Sequence, residues 1–257
     1  MIIPPRINVM TFNVWGPTRW DQRREALAEA VAIADPDCLV LQECTQNILD
    51  CLDAVLSGHS RIKNTDHSDK GWVTESNIYF RSAYFEKLES GFEDLEMANH
   101  PDRGLFWMRL RERQSNQDFV LGTVHMPWPG CKEETKTGMN QRTICAKLTA
   151  QKLKEITKRD DEPVILGGDF NEAFHPQRIL REGAFMRDVF ECLDLPPPIT
   201  HPVRTTAEFE TSMPDMSCDW IMIRNCKCIA AFAKTIRGSI IPSDHLPVQA
   251  VIELIAD

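Results

Sequence analysis

The sequence contains no apolar run approaching the roughly 20 residues that cross a bilayer. Its first residues, Met1-Ile2-Ile3-Pro4-Pro5-Arg6, lack the basic stretch and long apolar segment of a secretory signal. These two absences point to a cytoplasmic, intracellular protein. Regularly spaced cysteines are also missing. Nine are scattered through 257 residues, an odd number without framework spacing, which argues against a disulfide scaffold and reads as buried reduced thiols. Cys226-Lys227-Cys228 has no second pair to complete a zinc site, so it reads as packing. No internal repeat, low-complexity tract or long linker divides the chain, and its length suits one domain over residues 1–257. Basic residues are in deficit, with 29 Lys+Arg against 38 Asp+Glu and a net charge of -9. That argues against a chain-wide phosphate-binding surface. A local one remains compatible, because cations held by clustered carboxylates invert the local charge.

What is present is a series of short apolar strands separated by helices and loops. Strands are expected over about 7–14, 38–41, 78–80, 105–110, 119–124, 163–166, 220–223, 229–233 and 246–254. In the last, Val248, Ala250, Ile252 and Leu254 alternate to one face. Helices are expected over about 23–34, with Leu27 and Val31 inward, and 141–158, with Ile144, Leu148 and Gln151 on one face. Strands outnumber helices and often follow one another directly. This favours mixed or antiparallel sheets, packed face to face with helices outside.

Four polar clusters sit at strand ends: Thr11-Phe12-Asn13, Leu41-Gln42-Glu43, Gly167-Gly168-Asp169-Phe170-Asn171 and Ser243-Asp244-His245. Carboxylates gathered at one rim of a sandwich suit a hard cation, which takes oxygen ligands and keeps several waters. Each cluster alone has an ordinary reading as a turn, a cap or a solvated rim. Their order along the chain is specific. With Thr123-Val124-His125-Met126 and Cys218-Asp219-Trp220 added, it resembles the endonuclease/exonuclease/phosphatase superfamily, the deoxyribonuclease I-like metal-dependent phosphohydrolases, from Asn13 to His245.

The resemblance implies a four-layered α/β sandwich with two mixed β-sheets at its centre, and a phosphoester hydrolase dependent on Mg²⁺ or Mn²⁺. It implies that Glu43 and Asn13 ligate the metal, with Asp244 in support. Asp169 would activate or orient the water, and Asn171 would contact the phosphoryl oxygens. His245, backed by Asp219, would act at the scissile phosphate as base or charge stabiliser. His125 would assist the leaving oxygen. Gln42 reads as a strand residue.

The substrate is less legible. Trp15 and Trp128 are placed to stack on a substrate group. Arg142, on the helix after His125, is a candidate contact whose plainer reading is packing, as is that of Gln151. Leu105, Trp107, Arg109, Arg111 and Arg113 share one strand face, which reads either as a nucleic acid track or as an outer strand covered by a helix. His59, His67, His100, His175 and His201 match no motif and read as surface or loop residues. A nucleic acid phosphodiester is the favoured substrate. An inositol phosphate, sphingolipid headgroup or other small phosphoester is the alternative, with a non-catalytic binding module behind it.

Overall fold

The computed structural model describes residues 4–63, 71–97, 100–203, 214–234 and 240–255; His67 lies outside them. One six-stranded sheet has β1 (Arg6–Asn13), β2 (Cys38–Gln42), β3 (His59–Arg61), β4 (Ser76–Arg81), β11 (Cys226–Ala233) and β12 (Val248–Leu254), in the order β11-β12-β1-β2-β4-β3. The second has β5 (Phe85–Asp94), β6 (Gly104–Glu112), β7 (Asp118–His125), β8 (Val164–Asp169), β9 (Arg187–Asp188) and β10 (Asp219–Arg224), in the order β5-β6-β7-β8-β10-β9. Among the described residues only β1 with β2 and β7 with β8 pair in parallel. Both sheets are therefore mixed.

Side chains alternate across each strand, and the alternation builds the layers. Ile7, Val9, Cys38, Val40, Ile78 and Phe80 from the first sheet meet Phe106, Met108, Leu110, Phe119, Leu121, Ile165, Ile221 and Ile223 from the second in one buried core. The opposite face of the first sheet, with Met10, Phe12, Leu39 and Leu41, is covered by α1 (Trp20–Ala34) through Leu27 and Val31 and by α2 (Gln46–Val55) through Ile48, Leu49 and Leu52. The opposite face of the second sheet, with Leu105, Val120, Val124, Val164 and Leu166, is covered by α4 (Gln141–Ile156) and α5 (His175–Ala184). A short α3 (Lys132–Thr137) precedes α4. The result is the expected four-layered sandwich. Among the described residues no helix is long and apolar enough to cross a membrane.

The same alternation makes a site. Toward one end of the strands, the inward positions turn from apolar to polar: Thr11 and Asn13 on β1, Gln42 on β2, Thr123 and His125 on β7, Asp169 on β8 and Asp219 on β10. In the register, His125 lies opposite Asp169, and Asp219 opposite Asp169 from the other side. Just below this rim, Gln42 Nε2 donates to Thr11 Oγ1 at 3.1 Å and across the sandwich to Thr123 Oγ1 at 2.8 Å. The sheets come close there. A Cβ on Gly167 would stand 2.6 Å from Val40 Cγ2, and one on Gly168 would stand 2.1 Å from the backbone oxygen of Val124. The two glycines thus bring β8 against both neighbours.

One expectation changes, one open alternative is decided, and one strand appears that the sequence did not announce. The buried face of α4 is Arg142, Cys145, Ala146, Thr149, Ala150, Leu153 and Ile156, with Gln151 exposed. Small residues win the interface because α4 lies close on α5, where a Cβ on Gly183 would touch Ala150 at 3.0 Å. The basic stripe on and just beyond β6 is covered at Arg109, and its other two arginines are partly exposed but engaged. Arg109 is 2% exposed, donates to Glu162 at 2.6 Å and to the carbonyl of Ile156 at 2.7 Å, and pairs with Glu89. Arg111 is paired with Asp118 at 2.6 Å, and Arg113 donates to the carbonyl of Ser82 at 3.1 Å. The third is β5, which has no apolar run to announce it because it is a sheet edge rich in partly exposed residues.

Because the atom opposing a Gly168 side chain is backbone, Gly168→Ala is expected to destabilise the protein by at least about 2 kcal/mol. Gly58→Ala, with open space around it, should stay within about 0.5 kcal/mol. Urea unfolding of both variants checks this, and equal effects would contradict the packing argument.

Candidate active site

Asp169 is the centre of the rim. It is 1% exposed, and its Oδ1 accepts the backbone N–H of Asn171 at 2.9 Å. Its Oδ2 accepts Asn13 Nδ2 at 3.0 Å. The Nε2 atoms of two imidazoles approach the same oxygen, His125 at 3.5 Å and His245 at 3.7 Å. Asn13 bridges further, donating to Glu43 Oε1 at 3.2 Å, which lies 3.9 Å from His125 Nε2. The Glu43 side chain is 33% exposed and sits beyond the end of β2 in a left-handed conformation, φ 58°. Glu43, Asn13, Asp169, His125 and His245 are therefore brought together as the sequence motifs imply.

Each histidine has its own carboxylate. His245 Nδ1 is 2.8 Å from Asp219 Oδ2. Burial alone would pull this imidazole down, but Asp219, Cys218 and Asp169 outweigh it and hold its pKa well above the ordinary 6.5. His125 Nδ1 is 2.6 Å from Glu75 Oε1. Burial pushes the Glu75 carboxyl up, and His125 and Arg103 more than reverse this, leaving it below its usual range. The motif reading missed Glu75. It directly precedes a strand (Ser76–Arg81) without any accompanying pattern, and only the signal of an acid at a strand end pointed to it.

Two arginines brace the loops. Arg23, on α1 and 1% exposed, donates to the carbonyls of Thr18, Trp15, Gly16 and Pro242. It thereby ties the loop after Asn13 to the loop before Ser243. Burial pulls its pKa down to about 10, against the opposing pull of Asp244 and Glu43, so both carboxylates lie within its field. Its guanidinium also stands 5.4 Å from the Trp15 ring centroid. Arg142 grips Glu134 with two nitrogens at 2.7 and 2.9 Å, Glu172 at 2.9 Å and the carbonyl of Pro127 at 3.3 Å. The structure thus corrects the substrate-contact reading of Arg142. At 4% exposed, it holds the loop after Asn171 to the loop after His125.

The remaining candidates lie around this centre. Ser243 donates to the carbonyl of Asn13 at 2.7 Å and accepts the His245 N–H, which seats the last motif on the first strand. Asp244 Oδ2 is 3.7 Å from His201 Nε2. One N–H of Asn171 Nδ2 goes to the Met126 carbonyl at 2.9 Å. Trp128 is 43% exposed, meets His100 edge-on at 5.1 Å and lies under Arg103. With Leu95, Met97, His100 and Cys145 it lines a cleft of about 210 Å³. His201 is not a surface residue. It is buried and tilted against His245, ring centroids 4.5 Å apart.

The cationic His245–Asp219 pair sets a pH dependence. Since the folded pKa lies above 6.5, the stabilisation is fully present below that value and fades as pH rises through the folded pKa. Asp219→Asn is expected to lose most thermal stability relative to the parent near pH 6, with the gap narrowing in alkaline buffer. Melting curves across that range check the sign, and a gap that widens with pH would contradict it.

Comparison with known proteins follows this geometry. No curated protein sequence matches significantly. Solved structures similar to this chain include D. rerio TDP2 complexed with single strand DNA product (20% identity, 96% of this chain and 99% of that one, TM-score 0.77). They also include the human Nocturnin catalytic domain with bound sulfate anion (19%, 99% and 97%, TM-score 0.75). A third is a mannosyl-6-phosphatase from Bacteroides thetaiotaomicron (22%, 97% and 100%, TM-score 0.74). At these identities the likeness is one of fold. The model of the Endonuclease/Exonuclease/phosphatase family matches residues 10–245, which includes every strand-end motif described above, and the chain belongs to that family.

Proposed function

We propose that this protein is a divalent-metal-dependent phosphoester hydrolase whose water-activating group is Asp169. The observation that supports this most directly is the convergence of Asn13 Nδ2, His125 Nε2 and His245 Nε2 on the single oxygen Asp169 Oδ2. A carboxylate so placed, with Glu43 linked to it through Asn13, matches what phosphoryl transfer needs: an oriented water and cationic or hydrogen-bonding groups around the phosphoryl oxygens.

The donor chemistry fits a hard cation. Glu43 at the rim offers oxygen donors, with Asp244 within the same field of Arg23, and no thiolate or imidazole need be displaced there. Asn13 turns its Nδ2 to Glu43 and its Oδ1 to the Trp15 N–H, so it positions the carboxylate. Bound Mg²⁺ or Mn²⁺ would neutralise phosphoryl charge and make water more acidic. The chain's own groups do the rest. Asp169, fixed from both sides, takes the proton of the attacking water. His245 is kept cationic by Asp219, so it donates its Nε2–H to a phosphoryl oxygen rather than acting as the base. His125, oriented by Glu75, supplies a proton to the leaving oxygen. The second N–H of Asn171 is the one left for a phosphoryl oxygen.

For substrate, a nucleic acid phosphodiester is the first reading, supported by the likeness to a protein solved with a single-strand DNA product. A small phosphoester is the second. The observation that favours it is the pairing of Arg109 and Arg111 with carboxylates and the use of Arg113 on a backbone carbonyl, which leaves that strand without a phosphate track.

The test is a hydrolysis panel with Mg²⁺ or Mn²⁺, with and without chelator, on single-stranded and 5′-adducted DNA, RNA, sugar phosphates, inositol phosphates and sphingomyelin. Asp169→Asn should lower the rate on the true substrate about 10²–10⁴-fold. Turnover that survives both chelator and Asp169→Asn would overturn the assignment. Glu75→Gln should lower kcat by about tenfold or more while KM stays near that of the parent, measured at a temperature where both proteins remain folded. An unchanged kcat would remove Glu75 from the machinery.

A further inference from the structure

Around His245 lies a second group of ligating atoms of different chemistry. His201, Cys218 and His245 each offer one atom within 4.8 Å of the others, and so do Asp169, Cys218, Asp219 and His245. Cys218 Sγ is 3.7 Å from His245 Nδ1 and 3.3 Å from Asp219 Oδ2. In a tetrahedral zinc site, bond lengths of about 2.3 Å to sulfur and 2.0 Å to nitrogen separate the two ligand atoms by about 3.5 Å. The Cys218–His245 edge therefore has nearly the required span before any movement. The carboxylate beside that edge turns its Oδ2 to Cys218 and His245 and is only partly satisfied. Asp219 is 2% exposed, and its Oδ1 is buried without a hydrogen-bond partner, although buried carboxylate oxygens are ordinarily satisfied.

Local structure explains the cluster. The stretch before β10 runs beside the segment containing His201. The backbone N–H groups of Cys218 and Asp219 both donate to Thr200 Oγ1 at 3.2 Å, and His201 bridges Met216. Leu246 N donates to the carbonyl of Thr200 at 2.8 Å, which brings the His245 segment to the same place. A thiol, two imidazoles and a carboxylate are a donor set for a borderline-soft ion and a poor one for Mg²⁺.

We propose that His201, Cys218 and His245 form a three-ligand Zn²⁺ site, its fourth position open to solvent or to Asp219 beside Cys218 and His245, that is separate from the hard-cation position at Glu43 and that switches the enzyme off when filled. Binding replaces the Cys218 S–H bond by an S–Zn bond, the thiol proton passing to solvent, and it takes a nitrogen of His245 as a neutral ligand. The metal-bound nitrogen of His245 is then no longer available to its partner carboxylate, Asp219 at Nδ1 or Asp169 at Nε2. The binding claim stands by itself; the inhibitory claim rests on the role given to His245 above.

The experiment titrates the reduced, purified protein with Co²⁺, an optical stand-in for Zn²⁺, and follows the sulfur-to-cobalt charge-transfer absorption. One equivalent is expected to produce the band, and Zn²⁺ to abolish it. Cys218→Ser, whose hydroxyl has Thr200 Oγ1 nearby as a partner, should lose the band while the other eight cysteines remain as internal controls. His201→Gln should weaken Co²⁺ binding by at least about tenfold. In parallel, the Zn²⁺ concentration that halves Mg²⁺-supported hydrolysis, measured within each protein, should rise at least about tenfold in Cys218→Ser. No band in the parent protein overturns the site, whatever the variants do. A band that persists in Cys218→Ser assigns it to another thiol and overturns it equally, and so does unchanged affinity in His201→Gln. A band in a protein that hydrolyses no phosphoester supports the site and counts against the proposed function instead.

Discussion

The structure depends on one constraint: strands from two sheets must face each other across a gap that a polar layer can close as tightly as an apolar one. Along most of the sandwich, Val9, Val40, Leu121 and Ile165 close it by simple burial. At the rim, Gln42 closes it by donating to Thr11 on its own sheet and to Thr123 on the other. Gly167, facing Val40 and Thr11, allows β8 to approach the opposite sheet closely enough for this, and Gly168 lets it close on β7. Asp169 is the next inward residue on that strand, so its position above the polar layer follows from the packing beneath it. Buried polar groups that are fully paired fix one arrangement, because leaving any of them unpaired is costly.

Above that layer, electrostatics governs. Glu43, Glu75, Asp169 and Asp219 gather at one place, and the chain answers with His125, His245, Arg23 and Arg103. Two of these carboxylates are matched to imidazoles, and their effects are visible in the raised pKa of His245 and the lowered pKa of Glu75. Glu43 is different. Its near neighbours are the neutral amide of Asn13 and, farther off, His125, and it is the most exposed of the four. A carboxylate held at the surface beside an amide is suited to an external cation, whereas a buried one requires its counter-charge to be built in. The acidic character of the whole chain is consistent with this, since the positive charge at the reaction centre would be brought from solution.

The sequence was legible where chemistry and periodicity coincide. Short apolar runs located β1, β7 and β8, alternation located β12, and the ordered motifs ending in Asn13, Glu43, Asp169 and His245 located the rim. It was illegible where the decisive partner is distant and has no pattern of its own. Glu75 is an acid before a strand, like several others, until β4 pairs with β2 and brings it to His125. Arg23 looks like a solvent-facing helix residue until the loops at Trp15 and Pro242 offer it four carbonyls. Arg109 resembles a phosphate contact because parity shows which face it occupies but not that α4 and Glu162 cover that face. His201 has no motif at all, and only the pairing of its segment with the stretch before β10 places it against His245. Side-chain periodicity reports which way a residue points, and the counter-charge it meets there is set by tertiary packing.

The central claim is that the rim centred on Asp169 holds a hard cation through Glu43. Anomalous scattering from crystals equilibrated with Mn²⁺ tests it most directly. The account requires a peak within bonding distance of the Glu43 carboxylate, about 2.1–2.2 Å, in the parent protein and its loss in Glu43→Gln with Asp169 and His245 undisplaced. A peak elsewhere, with none at Glu43, would contradict it.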